Sequence, residues 1–306
     1  MSDLRRLKNK YLSNPRSPVV GFLFLLPVLI YIAIYFVYPF FYNISLSYHD
    51  TDVVSFVSGK SSFNGLDNYI ELFTDSTFQT ALKNTAIFTV FSLVFQFSIG
   101  FILALVFNRD FPGEKVLRGL VMIPWFLPLI VSASAYRFFF SEQGIVNGLL
   151  LSLKLISAPI NWLTDPSLVI WTVTFINIWI GIPFNFVLLH TGLKDVPKDL
   201  YEAAEVDGAK GWQRLLYIVI PILKPVILTV LMMGTVYTIK HFDIVWIATQ
   251  GGPANSSHLL STLSYKLAFR DYEFGLGAAT ANVMVVIILL LVLGFGLISN
   301  ERRANR

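Results

Sequence analysis

The sequence contains no cysteine. Disulfide staples, thiolate nucleophiles and cysteine metal sites are excluded together, and nothing reports the redox state of a compartment. Charge is scarce as well: Asp, Glu, Lys and Arg make up 14% of the 306 residues, against about 25% in a soluble globular domain. The phosphate-cradling pattern G-x-x-x-x-G-K-[ST] is missing. Residues 58–62, SGKSS, have its ending, but Val54 stands where the first glycine belongs. No Pro/Gly/Ser linker, low-complexity tract or repeat of about 20–50 residues divides the chain, so one domain is expected.

What is present is apolar length. Hydrophobic residues make up 55% of the chain and the mean hydropathy is +0.65. Six runs are long enough for the roughly 20 residues that a helix needs to cross a hydrocarbon core: 19–41, 85–107, 119–139, 167–189, 226–247 and 275–299. They are apolar on all sides and do not alternate as barrel strands do, so an all-α integral membrane protein is expected. The fifth run, interrupted by Lys240, His241 and Asp243, departs most from the pattern. The first follows a basic leader without a small-residue cleavage site, and reads as a retained anchor.

Orientation follows from the basic residues, which accumulate on the cytoplasmic side. Sixteen of the 23 Lys and Arg fall in 1–18, 108–118, 191–224 and 300–306. These segments are expected inside with both termini, as a cytoplasmic N-terminal segment (1–18), a transmembrane domain (19–299) and a cytoplasmic tail (300–306). Segments of about 42–82, 141–166 and 248–274 then face outward, as connectors or as pieces lying along the interface. The net charge of +4 is topological and gives no argument for nucleic acid.

The inside loop 191–224 is unusually ordered for a re-entry loop. Residues 196–206, VPKDLYEAAEV, read as a short helix with Pro197 in its first turn and acids early, where the helix dipole favours them. Asp207-Gly208 supplies a turn, and KGWQRLLYIVI begins a second helix running toward Pro221. Ala203 and Ala204 are small enough to let another surface approach closely.

Glu202-Ala203-Ala204, Gly208 four positions on, and then Ile218, Ile220 and Pro221 resemble the EAA signature of permease subunits in binding-protein-dependent ABC importers. Ile220 stands where that signature usually has leucine. Over some 280 residues the chain is similar to sugar-importer permeases of the maltose and glycerol-phosphate type, through GFLFLLPVLIYIAIYFVYPF, GLDNY, IPWFLP, NWLTDP, DLYEAAEVDGAKGWQR and FDIVWIATQGGP. The resemblance implies the ABC type I importer permease fold in a bacterial or archaeal inner membrane. It also implies a second permease subunit, two ATPase subunits that bind ATP and Mg, and an extracytoplasmic binding protein delivering a sugar or related polyol or sugar phosphate. Glu202, Ala203, Ala204, Asp207, Gly208 and Pro221 would then form the coupling hairpin that docks on the ATPase. This chain would bind no cofactor or metal itself.

Polar residues inside spans are costly and mark pathways or partners. Lys240 and Asp243, three apart in the fifth run, are placed to share a helix face. Lys240 lies about 22 Å beyond Pro225 at 1.5 Å per residue, so snorkelling is the alternative to pairing. Tyr237, Phe242 and Trp246 flank them, Asn177, Trp179 and Asn185 interrupt the fourth run, and Thr280 and Asn282 the sixth. Amides, hydroxyls and aromatic faces suit a carbohydrate path; the same aromatics also suit a lipid-facing belt. Two rival classes fit parts of the sequence. His190 and Asp195 have the H-x4-D spacing of acyltransferases, without that class's other motifs. An ion-coupled carrier would show two related halves, and none is visible.

Overall fold

The structure, a computed structural model, describes residues 18–300, with side chains described for 21–297. The basic leader and the tail expected inside lie almost wholly outside the described residues.

Among the described residues the regular structure is helical, apart from one short antiparallel pair. In order, the elements are α1 (Pro18–Ile32), α2 (Tyr38–Leu46), β1 (His49–Asp50), α3 (Val53–Ser58), β2 (Ser62–Phe63), α4 (Asp67–Thr74), α5 (Ser76–Val106), α6 (Glu114–Phe126), α7 (Leu129–Phe139) and α8 (Ile145–Ser152). There follow α9 (Val169–Lys194), α10 (Lys198–Val206), α11 (Gly211–Arg214), α12 (Ile220–Ile239), α13 (Asp243–Ala248), α14 (Leu260–Phe269) and α15 (Phe274–Asn300). Five helical segments are long and apolar enough to cross a membrane: Gly21–Leu46, Ser76–Val106, Val169–Lys194, Gly211–Ala248, which breaks at 240–242, and Phe274–Leu297.

The third expected span differs. α6 and α7 meet at 98°, because Pro128 drives Leu127 out of the helical region to φ −79°, ψ 134° and cannot itself donate. Two other prolines act more gently. Pro39 and Pro221 each follow a π turn, Ala33–Val37 and Leu215–Val219, and in each the residue before the proline bonds five positions back. A proline ring crowds the carbonyl four residues earlier; the wider turn relieves that clash without breaking the span.

α5 and α9 form the central pair, and small and polar residues bring them together as lipid-embedded helices require. A β-carbon at Gly100 would lie 2.6 Å from that of Asn185, so the backbones meet there. The Gln96 amide donates to the Asn177 main-chain carbonyl (2.8 Å) and the Asn177 amide to Ser92 Oγ (2.8 Å). α12 closes one side, with Leu223 and Val230 in a core shared with Phe107, Phe186 and Leu193. α15 packs on α14 and α2.

The segment 249–260 is clamped to α5. Asn84 donates to the carbonyls of Ser256 (2.7 Å) and His258 (3.2 Å), and Leu260 N donates to Thr85 Oγ1 (2.9 Å). Gly251, at φ +85°, lies flat on the His258 ring: a β-carbon there would fall 2.0 Å from it.

Candidate functional site

The hairpin between α9 and α12 is built by backbone chemistry legible in its sequence. Pro197 precedes the first turn of α10, where a missing N–H costs nothing. After Asp207 the chain turns left-handed at Gly208 (φ +74°). Gly208 N donates to Glu205 O (3.0 Å) and Ala209 N to Ala204 O (2.8 Å), the pair of bonds that closes a helix C-terminus around a glycine. Lys210 N donates to Gln213 Oε1 (2.7 Å) to start the second helix, and Arg214 Nη1 reaches Glu205 Oε2 at 3.3 Å across the turn.

The two faces of the hairpin differ. Tyr201 packs against the core of Phe107, Leu193 and Val219, and Ala204 is buried. Burial raises the Tyr201 phenol, with Arg214 opposing. Glu202, Ala203 and Asp207 are exposed, as are the apolar Leu200, Val206 and Trp212. Glu202 makes no side-chain hydrogen bond or ion pair among the described residues. Pro221, in the first turn of α12, follows the π turn and is itself exposed.

The second feature is a cavity of about 540 Å³. It lies where two broken spans meet: Pro124, Trp125, Leu127 and Leu129 line it from the α6–α7 bend, and Lys240, His241, Phe242 and Asp243 from the α12–α13 break. α5 and α9 complete the wall with Gln96, Asn177, Gly181 and Phe184. Non-helical backbone at membrane depth is tolerated where it is buried in protein or faces a cavity, so coincidence of both breaks at one void is informative.

The sequence-derived pathway residues divide here. Asn177, Tyr237, Lys240 and Asp243 line the cavity. The pairing expected of Lys240 and Asp243 on one continuous helix face is not found: α12 stops at Ile239, Asp243 opens α13, and no ion pair joins them. Lys240 Nζ lies instead 4.9 Å from the centroid of the Tyr237 ring. Trp179 is exposed on the outside of α9, and Asn185 donates to Gly181 O within it. Trp246 stacks on Phe242, with Arg270 4.8 Å from its ring.

Thr280 donates to Leu276 O in its own helix. Asn282 joins α15 to distant segments, accepting from Asn43 (2.8 Å) and donating to Ser47 Oγ (3.0 Å) and Tyr69 OH (3.3 Å). Thr280, Asn282, Trp179, Asn185 and Trp246 thus lie outside this cavity. His190 Nε2 faces Arg118 Nη2 at 3.2 Å and makes no bond to Asp195, so the H-x4-D spacing forms no dyad. Gln96, Trp125 and Phe184 were not singled out from sequence. A lone amide in SLVFQFSIG and two prolines in IPWFLP were the available signals.

Residues 96–303, more than half of the chain, match the family of binding-protein-dependent transport system inner membrane components, and the chain belongs to that family. It is 33% identical to a probable ABC transporter permease protein of Brucella suis, over 87% of this chain and 91% of that one. It is 32% identical to the trehalose/maltose transport system permease protein MalF of Thermococcus litoralis, over 86% and 88%. Among solved structures it resembles a chain of a bacterial ABC transporter involved in import of the acidic polysaccharide alginate, with a TM-score of 0.80 and 25% identity over 92% and 95%. It is therefore a multi-pass transport subunit of the ABC permease class.

Proposed function

We propose that this chain is one transmembrane subunit of an ATP-driven importer that moves a carbohydrate through a bacterial or archaeal inner membrane. The observation that carries the reading is the convergence of two broken spans on one cavity lined by amides, aromatic rings and one charge of each sign. Sugars are held by hydrogen bonds to hydroxyls and by contact with the apolar ring faces. The trehalose/maltose and alginate systems among its relatives support that substrate class.

Both termini and the hairpin 198–214 face the cytoplasm in this reading. There the exposed face of the hairpin, with Glu202 and the apolar Leu200 and Val206, docks on a separate ATPase subunit that holds ATP and Mg. Tyr201 and Ala204, on its inner face, pass movement into the core against α9 and α12. A second permease completes the pathway. The family's dependence on a binding protein supports delivery from the outer face.

Purification from its native operon tests this. The chain should carry an ATPase with it, and proteoliposomes should take up sugar only with ATP and the binding protein. Uptake by the chain alone, driven by a proton gradient, would make it a secondary carrier.

A further inference from the structure

At the end of the bundle away from the hairpin, two adjoining clefts run between the first loop and the start of α15. The larger, of about 340 Å³, is lined by Glu71, Asp75, Lys266 and Glu273. The smaller, of about 160 Å³, is lined by Asp50, Asp52, Glu71 and Glu273, with Thr51. Five carboxylates therefore meet one cation, and that cation is engaged elsewhere: Lys266 Nζ holds Asp271 at 2.5 Å.

Two of the carboxylates have structural work. Asp52 caps α3 through Ser55 N (2.8 Å), and Asp75 caps α5 through Phe78 N (2.7 Å). Asp50, Glu71 and Glu273 make no side-chain hydrogen bond or ion pair among the described residues, and all three are exposed. Partial burial, then the charges of Asp271, Glu71 and Asp75, push the Glu273 carboxyl above its usual range.

A second observation points to a ligand. Thr51 is 3% exposed and lines the smaller cleft, yet its Oγ1 has no partner. A buried hydroxyl left unpaired carries a desolvation cost that a ligand donor would remove. Ionised carboxylates only accept, and the Thr51 hydroxyl can accept as well, so the group suits an N–H cation. No three acidic or histidine side chains among the described residues are disposed to hold a metal ion.

We propose that the paired cleft receives a lysine or arginine side chain from the surface of the extracytoplasmic binding protein. This rests on the importer reading, which puts 42–82 and 248–274 on the outer face. The cation lies between Glu71 and Glu273, the two carboxylates common to both clefts, with Asp50 and Thr51 at one end. Charge complementarity of this kind chiefly sets the encounter rate and orientation of partners, and it weakens as salt shortens the screening length.

The test uses the reconstituted complex with its own binding protein, measuring stimulated ATP hydrolysis against binding-protein concentration at low and high salt. The double variant Glu71→Gln/Glu273→Gln should raise the half-maximal concentration about tenfold at low salt and flatten the salt dependence. Unstimulated hydrolysis should stay at the wild-type level. Glu71→Asp/Glu273→Asp should remain close to wild type, and Asp50→Asn, outside any helix, should shift in the same direction as the Gln variant. Unchanged half-maximal concentration and salt dependence in the Gln variant would overturn the proposal. So would a Glu71-dependent response to calcium or spermidine added without binding protein. A wild-type complex that ignores its binding protein altogether would instead overturn the importer reading beneath it.

Discussion

The amide of Gln96 on α5 occupies the space that any side chain at Gly181 on α9 would take. A β-carbon at 181 would lie 2.3 Å from the amide carbon and nitrogen. The contact, with the bond from Gln96 to the Asn177 carbonyl, fixes a polar group in the cavity wall between two apolar helices. Gly181→Ala should displace the amide while the helices stay packed, because the group that must move is the far end of a flexible side chain. Interhelical hydrogen bonds in membranes are worth about 0.6–2 kcal/mol, so uptake should fall roughly threefold to thirtyfold. Transport assays on the purified complex, with yield as the control for assembly, check this.

Lys240 and Asp243 border the same cavity without an ion pair, which predicts weakly coupled effects. Lys240→Leu and Asp243→Leu should each lower uptake and leave assembly intact. In a double-mutant cycle the coupling should be small, about 0.5 kcal/mol, the low end for residues that share a cavity. Strong coupling would restore the ion pair that a continuous helix implied. Wild-type uptake in both single variants would leave Lys240 as a snorkelling residue.

At the hairpin, Gly208 is required by its backbone angle. Proline locks φ near −65° and cannot adopt +74°, so Gly208→Pro should abolish co-purification of the ATPase. Gly208→Asn should largely keep it, since asparagine tolerates the left-handed region. Glu202→Ala leaves the hairpin's internal bonds untouched and should weaken the association or uncouple hydrolysis from uptake. Pull-down stoichiometry and the ratio of ATP hydrolysed to sugar transported separate the two outcomes.

How much of this was legible depended on what each residue signals locally. Span length follows from composition, so five crossings appear near their expected places. The hairpin follows from Pro197 and Gly208, whose backbone restrictions hold in any context. Direction did not follow: a run of apolar residues reads alike whether straight or bent, and the 98° turn at Leu127 hid inside 119–139. Partners did not follow either. Asn282 and Asn177 are both lone amides in apolar helices. Only packing separates one that ties α15 to Asn43 and Ser47 from one that lines a cavity.

Acid stability should report on His258, which is 1% exposed, faces Thr262 Oγ1 through Nδ1 at 3.1 Å and lies under Gly251. Burial, then the charges of Lys266 and Arg270, lowers it to about 4. The folded state binds this proton less readily than the unfolded chain, so its contribution is complete above about pH 6.5 and declines as pH falls toward 4. Across that window the loss is of order 3 kcal/mol at most, at 1.36 kcal/mol per unit. Asp52 and Asp165, held low by hydrogen bonds from Ser55 and Ser167, act below it. Thermal melts from pH 7 to 4.5 should show the decline, and His258→Gln should flatten it.

The cavity as the carbohydrate path is the central claim, and the absence of native cysteine makes it directly measurable. Single cysteines at Trp125 and Tyr237, exposed cavity-lining positions on the two broken spans, should be open to a membrane-impermeant maleimide in the assembled transporter. Val94→Cys, on an exposed apolar face of α5 away from the cavity, serves as the reference. The account predicts that both cavity positions react, that Val94→Cys does not, and that a transported sugar slows the reaction at the cavity positions alone. Cavity cysteines as inert as the reference, or labelled at a rate the sugar leaves unchanged, would contradict it.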